Sequence, residues 1–373
     1  MDAGSRRPRQ VVHHFSLRYL LIPPILLAAL TGYVLYQHSD TNLYMLYSQC
    51  HARSRIPWLS HLPVIGTPSC FLVSFFQEAV AARRSVAIMA GVFSFIASLL
   101  TVSTVEAARI CNSPSKLIAY PTGPWLVFNL LGGAIVWQLL ILPAFFHRSR
   151  EIISARARGP TELAGPADPN FGESMRHLTK VAEAIAIPVA VALGCVAPSV
   201  AMLASGAPIS ILVWLLFPVW VSLIRKAVRR AVLALLADTW HGSFHLESNR
   251  LATAAVYAVP VICSVIGHVL IIWSLAAQRD DRREMTRAAT KFIVIDVFFI
   301  GLTVLYWIFV EAGWRVVLVM VATSVVLGPG AGLCIGWVYR ESSVDPDRSV
   351  TVVAVGARPD SEGGPSEETP LLR

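Results

Sequence analysis

The sequence predicts an all-α fold, a polytopic helix bundle integral to a membrane. Three observations carry that prediction. The chain is 55% hydrophobic and only 14% charged, with a mean hydropathy of +0.60, whereas soluble domains sit near a quarter charged. Several apolar runs exceed 18 residues, enough to cross about 30 Å of hydrocarbon. The basic residues gather in short loops between those runs, at HRSREIISARAR, IRKAVRR and RDDRRE, as headgroup-facing loops do. The net charge of +8 is therefore a membrane-surface feature and excludes neither side of the bilayer, but it is not a nucleic-acid footprint. The lipid bilayer is the first expected partner.

The elements follow in order. A polar, basic arm occupies 1–18, and the apolar run after it is long enough to stay as an anchor. Hydropathy then predicts eight transmembrane helices, at 19–37, 86–105, 125–146, 181–203, 209–224, 252–275, 292–310 and 316–338. A ninth segment, 62–82, is broken by Pro68 and ends in charge, so it either spans or re-enters. Nine spans with a cytoplasmic N-terminus would put the Arg-rich loops 147–180 and 225–250 on one side with Arg6, Arg7, Arg9 and Arg18, as the positive-inside rule prefers. Together 19–341 make one transmembrane domain. The tail, 342–373, is rich in Ser, Pro, Gly and Glu and is expected to be disordered; it ends in EETPLLR, an acidic dileucine pattern. Prolines such as Pro143, Pro188, Pro218 and Pro260 fall inside the spans, where each frees backbone groups and can kink its helix.

Much chemistry is excluded by absent motifs. There is no HExxH, GxSxG or DHHC sequence, no set of histidine boxes, and no NxxxD with DxxxD. HGSFH at 241–245 reads as a solvated basic loop. DDRRE at 280–284 has the look of an aspartate-rich diphosphate motif, but Arg279, Arg282, Arg283 and Arg287 interleave it, and local neutralisation is the simpler reading. The six cysteines have no zinc spacing; Cys195, Cys263 and Cys334 read as packing residues, and Cys50 could pair with Cys111. No metal and no cofactor is expected.

Ionisable residues within or at the ends of apolar spans remain: Glu78, Glu106, Arg109, Glu183, Asp296 and Glu311, with Asn129 and His268 as neutral companions. A buried acid either pairs or keeps its proton. Glu106 with Arg109 also fits a plain i,i+3 ion pair, and Glu183 near Lys180 could be structural. In 291–314, Asp296, Phe299, Thr303, Trp307, Glu311 and Trp314 share one helix face. Val297, Gly301, Val304, Leu305, Ile308 and Ala312 form the face expected to meet lipid. The two acids stand about 22 Å apart along the axis, so Asp296 is expected to be deep and Glu311 near an interface.

Three stretches, IGTPSCFLVSFFQEA (65–79), EAIAIPVAVALGCVAPS (183–199) and LGPGAGLCIGWVYRE (327–341), resemble the polytopic membrane terpene cyclases of fungal meroterpenoid and indole-diterpene clusters, including the integral membrane proteins of paxilline-type pathways. The resemblance implies a small hydrophobic prenylated substrate, closed by protonation of an olefin or epoxide and cation–olefin cyclisation, in the endoplasmic reticulum or another endomembrane. Placement of residues, not the resemblance, suggests the site. Asp296 or Glu106 would donate the proton, with Glu78, Glu183 and Glu311 as further acids. Trp307, Tyr306, Trp137, Phe299 and Asn129 would line the cation path, where aromatic faces stabilise a cation. The same acids and prolines also suit a proton-coupled or metabolite transporter.

Overall fold

The computed structural model describes residues 17–38, 66–157, 176–235, 240, 242–277 and 279–344. These form α1 (Leu17–His38), α2 (Gly66–Ala79), α3 (Arg83–Ala108), α4 (Thr122–Leu131), α5 (133–157), α6 (Glu183–Ser205), α7 (Pro208–Leu215), α8 (Phe217–Leu235), α9 (Arg250–Ala277), α10 (Glu284–Ala312), α11 (Trp314–Leu327) and α12 (Pro329–Val344). Short helical turns at Ile110–Asn112, Lys116–Ala119 and Leu246–Ser248 complete them. The only β pairing among the described residues is two isolated bridges, Arg109 with Leu178 and Leu178 with Phe244. The basic arm up to Ser16, Cys50, His241 and the tail from Asp345 lie outside the described residues.

Five helices, α1, α3, α6, α9 and α10, are long and apolar enough to cross a membrane. The pair α7 and α8, bent by 61°, makes a sixth when taken as one broken span. The other two predicted spans, 125–146 and 316–338, are not single helices. Each reverses at a glycine. Gly132 and Gly328 have φ of +98° and +93°, a region that L side chains avoid.

Around Gly132, α4 and α5 lie antiparallel: Trp125 faces Trp137 with ring centroids 6.2 Å apart, and a Cβ at Gly133 would meet the Phe128 ring. Around Gly328, α11 and α12 do the same; a Cβ at Gly336 would lie 2.9 Å from Met320 Cβ, and one at Gly332 would lie 2.7 Å from Met320 O. Hydropathy sums apolar length and is blind to reversal, so two helical hairpins read as two spans. The ninth segment, described from residue 66, contains the 14-residue α2, too short to cross alone.

α3 is the central pillar, with 83% of its apolar window buried. Its hydroxyls, including Ser98, Thr101 and Thr104, bond back to carbonyls one turn earlier, so a polar helix face can sit in an apolar interior. α9 crosses α3 antiparallel at Gly91 and Gly267, where a Cβ at Gly267 would lie 3.1 Å from Ala90 O. Small residues allow such approach between membrane helices. At one end of the bundle Asp281, between α9 and α10, accepts the N–H groups of Arg83 (2.9 Å) and Arg84 (3.3 Å) at the start of α3. At the other end Arg109, just after α3, meets Glu247, just before α9.

The second hairpin tip plugs into this pair. Ser264 of α9 receives the Ala331 N–H at 2.8 Å, and a Cβ at Gly330 would lie 2.9 Å from Ser94 O of α3. The first tip is held by α10, described next. α5 runs parallel to α10 from that point, shown by the pairs Gly133–Asp296, Gln138–Thr303 and Ser149–Glu311. Gln138 also bonds Thr31 of α1 (3.1 Å).

Candidate active site

An aromatic cavity of about 290 Å³ lies where α2, α3, α7 and α10 converge on the Gly132 tip. Phe71, Phe75 and Phe76 come from α2, Phe93 from α3, Phe128 from α4, Trp214 from α7 and Phe292 from α10. Helical spacing aligns these rings: Phe71 and Phe75 stand one turn apart. The rings pack edge to face, as aromatic quadrupoles prefer, with Phe75 to Phe292 at 5.7 Å and Phe76 to Trp214 at 4.9 Å. The Trp214 indole N–H donates to Ser199 Oγ at 3.0 Å, which fixes its ring face.

Two polar side chains stand in this wall. Asn129 donates to the Leu215 carbonyl at 2.7 Å, a group exposed by the α7–α8 bend. Asp296 lines the cavity as its only ionisable residue among those described. Its Oδ2 accepts the Gly133 N–H at 2.9 Å and its Oδ1 accepts the Ala134 N–H at 3.0 Å. The chain folds this way because the first N–H groups of α5 have no partner within their own helix, and a carboxylate satisfies them best. A Cβ at Gly132 would lie 3.5 Å from Asp296 Oδ1, an ordinary contact, so it is the positive φ that calls for glycine there. Asp296 thus joins the hairpin tip to the cavity wall, and each oxygen keeps a second lone pair.

The other aromatic candidates sit elsewhere. Trp137 and Trp307 are fully buried in a packed column with Phe145 and Trp337. They contribute core and not cavity wall. Trp137 opens a π-helical turn, Trp137–Ile141. Tyr306 donates to the Leu20 carbonyl at 2.9 Å, tying α10 to α1. Phe299 is buried beside Phe298. None of the four lines the cavity. Of the rings that do, the indole of Trp214 could have been found from its depth in its span. On α10 the exposed line is Val294, Phe298 and Phe309, while Val304 and Ile308 are fully buried. The face expected to meet lipid is therefore displaced, because α5 and α12 also pack on this helix.

Glu106, Glu311 and Glu183 are paired with arginines. Glu106 Oε1 meets Arg109 Nε at 3.0 Å and Arg340 Nη1 at 3.6 Å, and its Oε2 accepts from Asn112 at 2.9 Å. Arg109 continues to Glu247 at 2.6 Å. Arg340 continues to Glu311, and the Trp307 indole donates to Glu311 at 2.7 Å. This buried network links α3, α10 and α12 to the turn before α9. Glu311, at the end of α10, is 8% exposed, covered by the partners that bind it. Arg340, carried in the WVYRE stretch, supplies its ion pair. Glu183, fully buried, is held by Arg225 (2.7 Å) and Arg229 (2.9 Å) of α8, and not by Lys180. Glu78 is half-buried near the end of α2, outside the cavity lining.

The DDRRE stretch is engaged in local bonds. Hydrogen bonds from Arg282 hold the Asp280 carboxyl well below the usual range. For Asp281, burial pushes upward, but the Arg83 and Arg84 N–H groups outweigh it and its value falls. Among the described residues no group of three or more His, Cys, Asp or Glu is arranged to hold a metal ion. Cys70, not Cys111, is the disulfide-bonded cysteine among those described.

No curated protein and no solved structure matches the chain. A family model, the CtvD domain, matches residues 70–280, from within α2 to the loop that leads into α10. That stretch covers more than half of the chain, so the protein belongs to the CtvD-domain family, a family associated with fungal secondary-metabolite clusters.

Proposed function

We propose that the protein is a membrane-embedded terpene cyclase that folds and closes a prenyl chain in the aromatic cavity. One observation carries this reading: a single carboxyl group, Asp296, faces about 290 Å³ of space walled by Phe and Trp rings. That volume is at the small end of ligand pockets, about 300–1,000 Å³. The apolar lining excludes water, which would otherwise trap a cation, and each ring face stabilises positive charge by about 0.5–2 kcal/mol.

Asp296, protonated, gives its proton to an epoxide oxygen or terminal olefin carbon. In the epoxide case the C–O bond breaks toward the tertiary carbon, and the next double bond supplies the electron pair that closes the ring. A C–H proton lost from the final cation returns to Asp296. The sequence is an isomerisation with no net change in protons or electrons. The Gly133 and Ala134 N–H groups hold the carboxylate in place between the two transfers. Glu106, Glu183 and Glu311 are less suited, since each is held by arginine. The resemblance of 65–79, 183–199 and 327–341 to membrane terpene cyclases supports the same class.

A strain fed the linear prenylated precursor should yield cyclised product with the wild type. Asp296→Asn should lower the yield about 10²–10⁴-fold, the usual worth of a general acid. Untouched precursor despite good wild-type expression, or full activity in Asp296→Asn, would sink the proposal. The two re-entrant hairpins favour one other reading, a carrier, because broken helices ending inside the bilayer build transporter sites. Proton-driven uptake by reconstituted vesicles, without product formation, would select it.

A further inference from the structure

A second cavity, about 260 Å³, opens at the Arg109 end of the bundle between α3, α4 and α8. Its character is opposite to the first. Arg225, Lys226 and Arg229 of α8 line it, together with the hydroxyl residues Thr104, Thr122 and Ser222. Trp125 and Leu100 form its apolar part. Like charges one turn apart on a helix repel, so Arg225 and Arg229 side by side need a reason. Glu183 beneath them supplies part of one, accepting from both guanidinium groups at 2.7 and 2.9 Å. It neutralises a single charge and fixes both side chains. Two positive charges remain on the cavity, with Lys226 exposed and no ion-pair partner for it among the described residues.

A pair of guanidinium groups fixed by Glu183, an exposed ammonium and nearby hydroxyls suit a tetrahedral oxyanion carrying about two negative charges. We infer that this cavity binds a phosphate group. Arg225 and Arg229 present their remaining N–H donors, Lys226 closes over the anion from the solvent side, and the hydroxyls take the other oxygens. The apolar part beside Trp125 lets the phosphate arrive attached to an acyl chain, as on an anionic lipid headgroup. The site is separate from the proposed cyclisation chemistry and stands whether or not that reading holds.

The test is equilibrium binding to the full-length protein in neutral detergent at fixed ionic strength. Dihexanoyl phosphatidic acid and inorganic phosphate are the probes. At least one should bind saturably with one equivalent per chain. Lys226→Gln and Arg229→Gln should each weaken binding about tenfold, the scale of one charge-assisted hydrogen bond. Lys226→Gln has no ion pair to lose, so its melting temperature without ligand should match the wild type. Binding of the lipid alone would assign the phosphate to a headgroup, and competition by inorganic phosphate would assign it to the free anion; either supports the site. Saturable binding of neither probe, or unchanged affinity in both variants, overturns it.

Discussion

Asp296 has two tasks, and substitutions separate them. Asp296→Asn keeps one acceptor oxygen for the α5 start but cannot cycle a proton. Asp296→Ala loses both, and a lost helix cap costs about 0.5–2 kcal/mol. Thermal unfolding in detergent should therefore rank Ala well below Asn, while product formation should be low in both. Arg340 is the more dangerous residue to change. Arg340→Met strands Glu311 in an apolar interior beside Trp307, and breaking a buried pair costs about 3–5 kcal/mol. Adding Glu311→Gln should restore most of the lost melting temperature, which a double-mutant cycle would read as coupling. Asp296 could be found in the sequence because an acid deep in an apolar run needs an explanation. Trp137, Trp307, Tyr306 and Phe299 could not be sorted, because an inward aromatic stripe looks the same whether it packs against rings or bounds a void. The partners Glu247 and Arg340 were hidden by distance along the chain.

Elements show the same division. The five long helices were readable from length and apolarity alone. The hairpins had a signal, Gly132–Gly133 and Gly328–Pro329–Gly330 at the middle of apolar runs, but its meaning depends on neighbours that receive the tip. Gly328 has φ +93° and ψ 157° at its cap position, a region nearly confined to glycine. Its added Cβ would also meet Ser264 O and His268 Cβ, both at 2.9 Å. Gly328→Ala should cost about 1–3 kcal/mol from backbone strain alone, whereas Gly301→Ala, inside α10 with nothing within 4 Å, should raise the melting temperature slightly, since alanine is worth up to about 1 kcal/mol over glycine in a helix. Asp281 acts on α3 from outside it. Its folded value is depressed, so its contribution is present above the unfolded value, about 3.9, and is lost as pH falls through the lower folded value. Melting curves taken from pH 6 to pH 3 should show an acid-dependent loss in wild type that shrinks in Asp281→Asn.

At the scale of the molecule, the path of the chain resolves a conflict in the charge pattern. α1 runs antiparallel to α10, α3 and α10 run the same way, and α6 opposes α8. The chain directions put the starts of α1, α6 and α9 at the same end of the bundle as the ends of α5, α8 and α12, which six crossings with two hairpins returning to their side of entry would place on one side of the membrane. The described ends of the basic loops 147–180 and 225–250 then share that side without a ninth span. The positive-inside rule predicts that this side faces the cytoplasm. Reporters fused after Val344 and before Leu17 should both read cytosolic, and Arg315→Cys should be labelled from that same side. A tail reporter on the opposite side would return 316–338 to a full crossing. The hairpins also distribute mass unevenly through the bilayer. α4, α5, α11 and α12, each about 10–12 Å across, widen one half of the bundle, and only α2 is added to the other. Among the described residues this asks more area of one leaflet than of its opposite, so the protein should concentrate where the membrane already curves toward the narrower side.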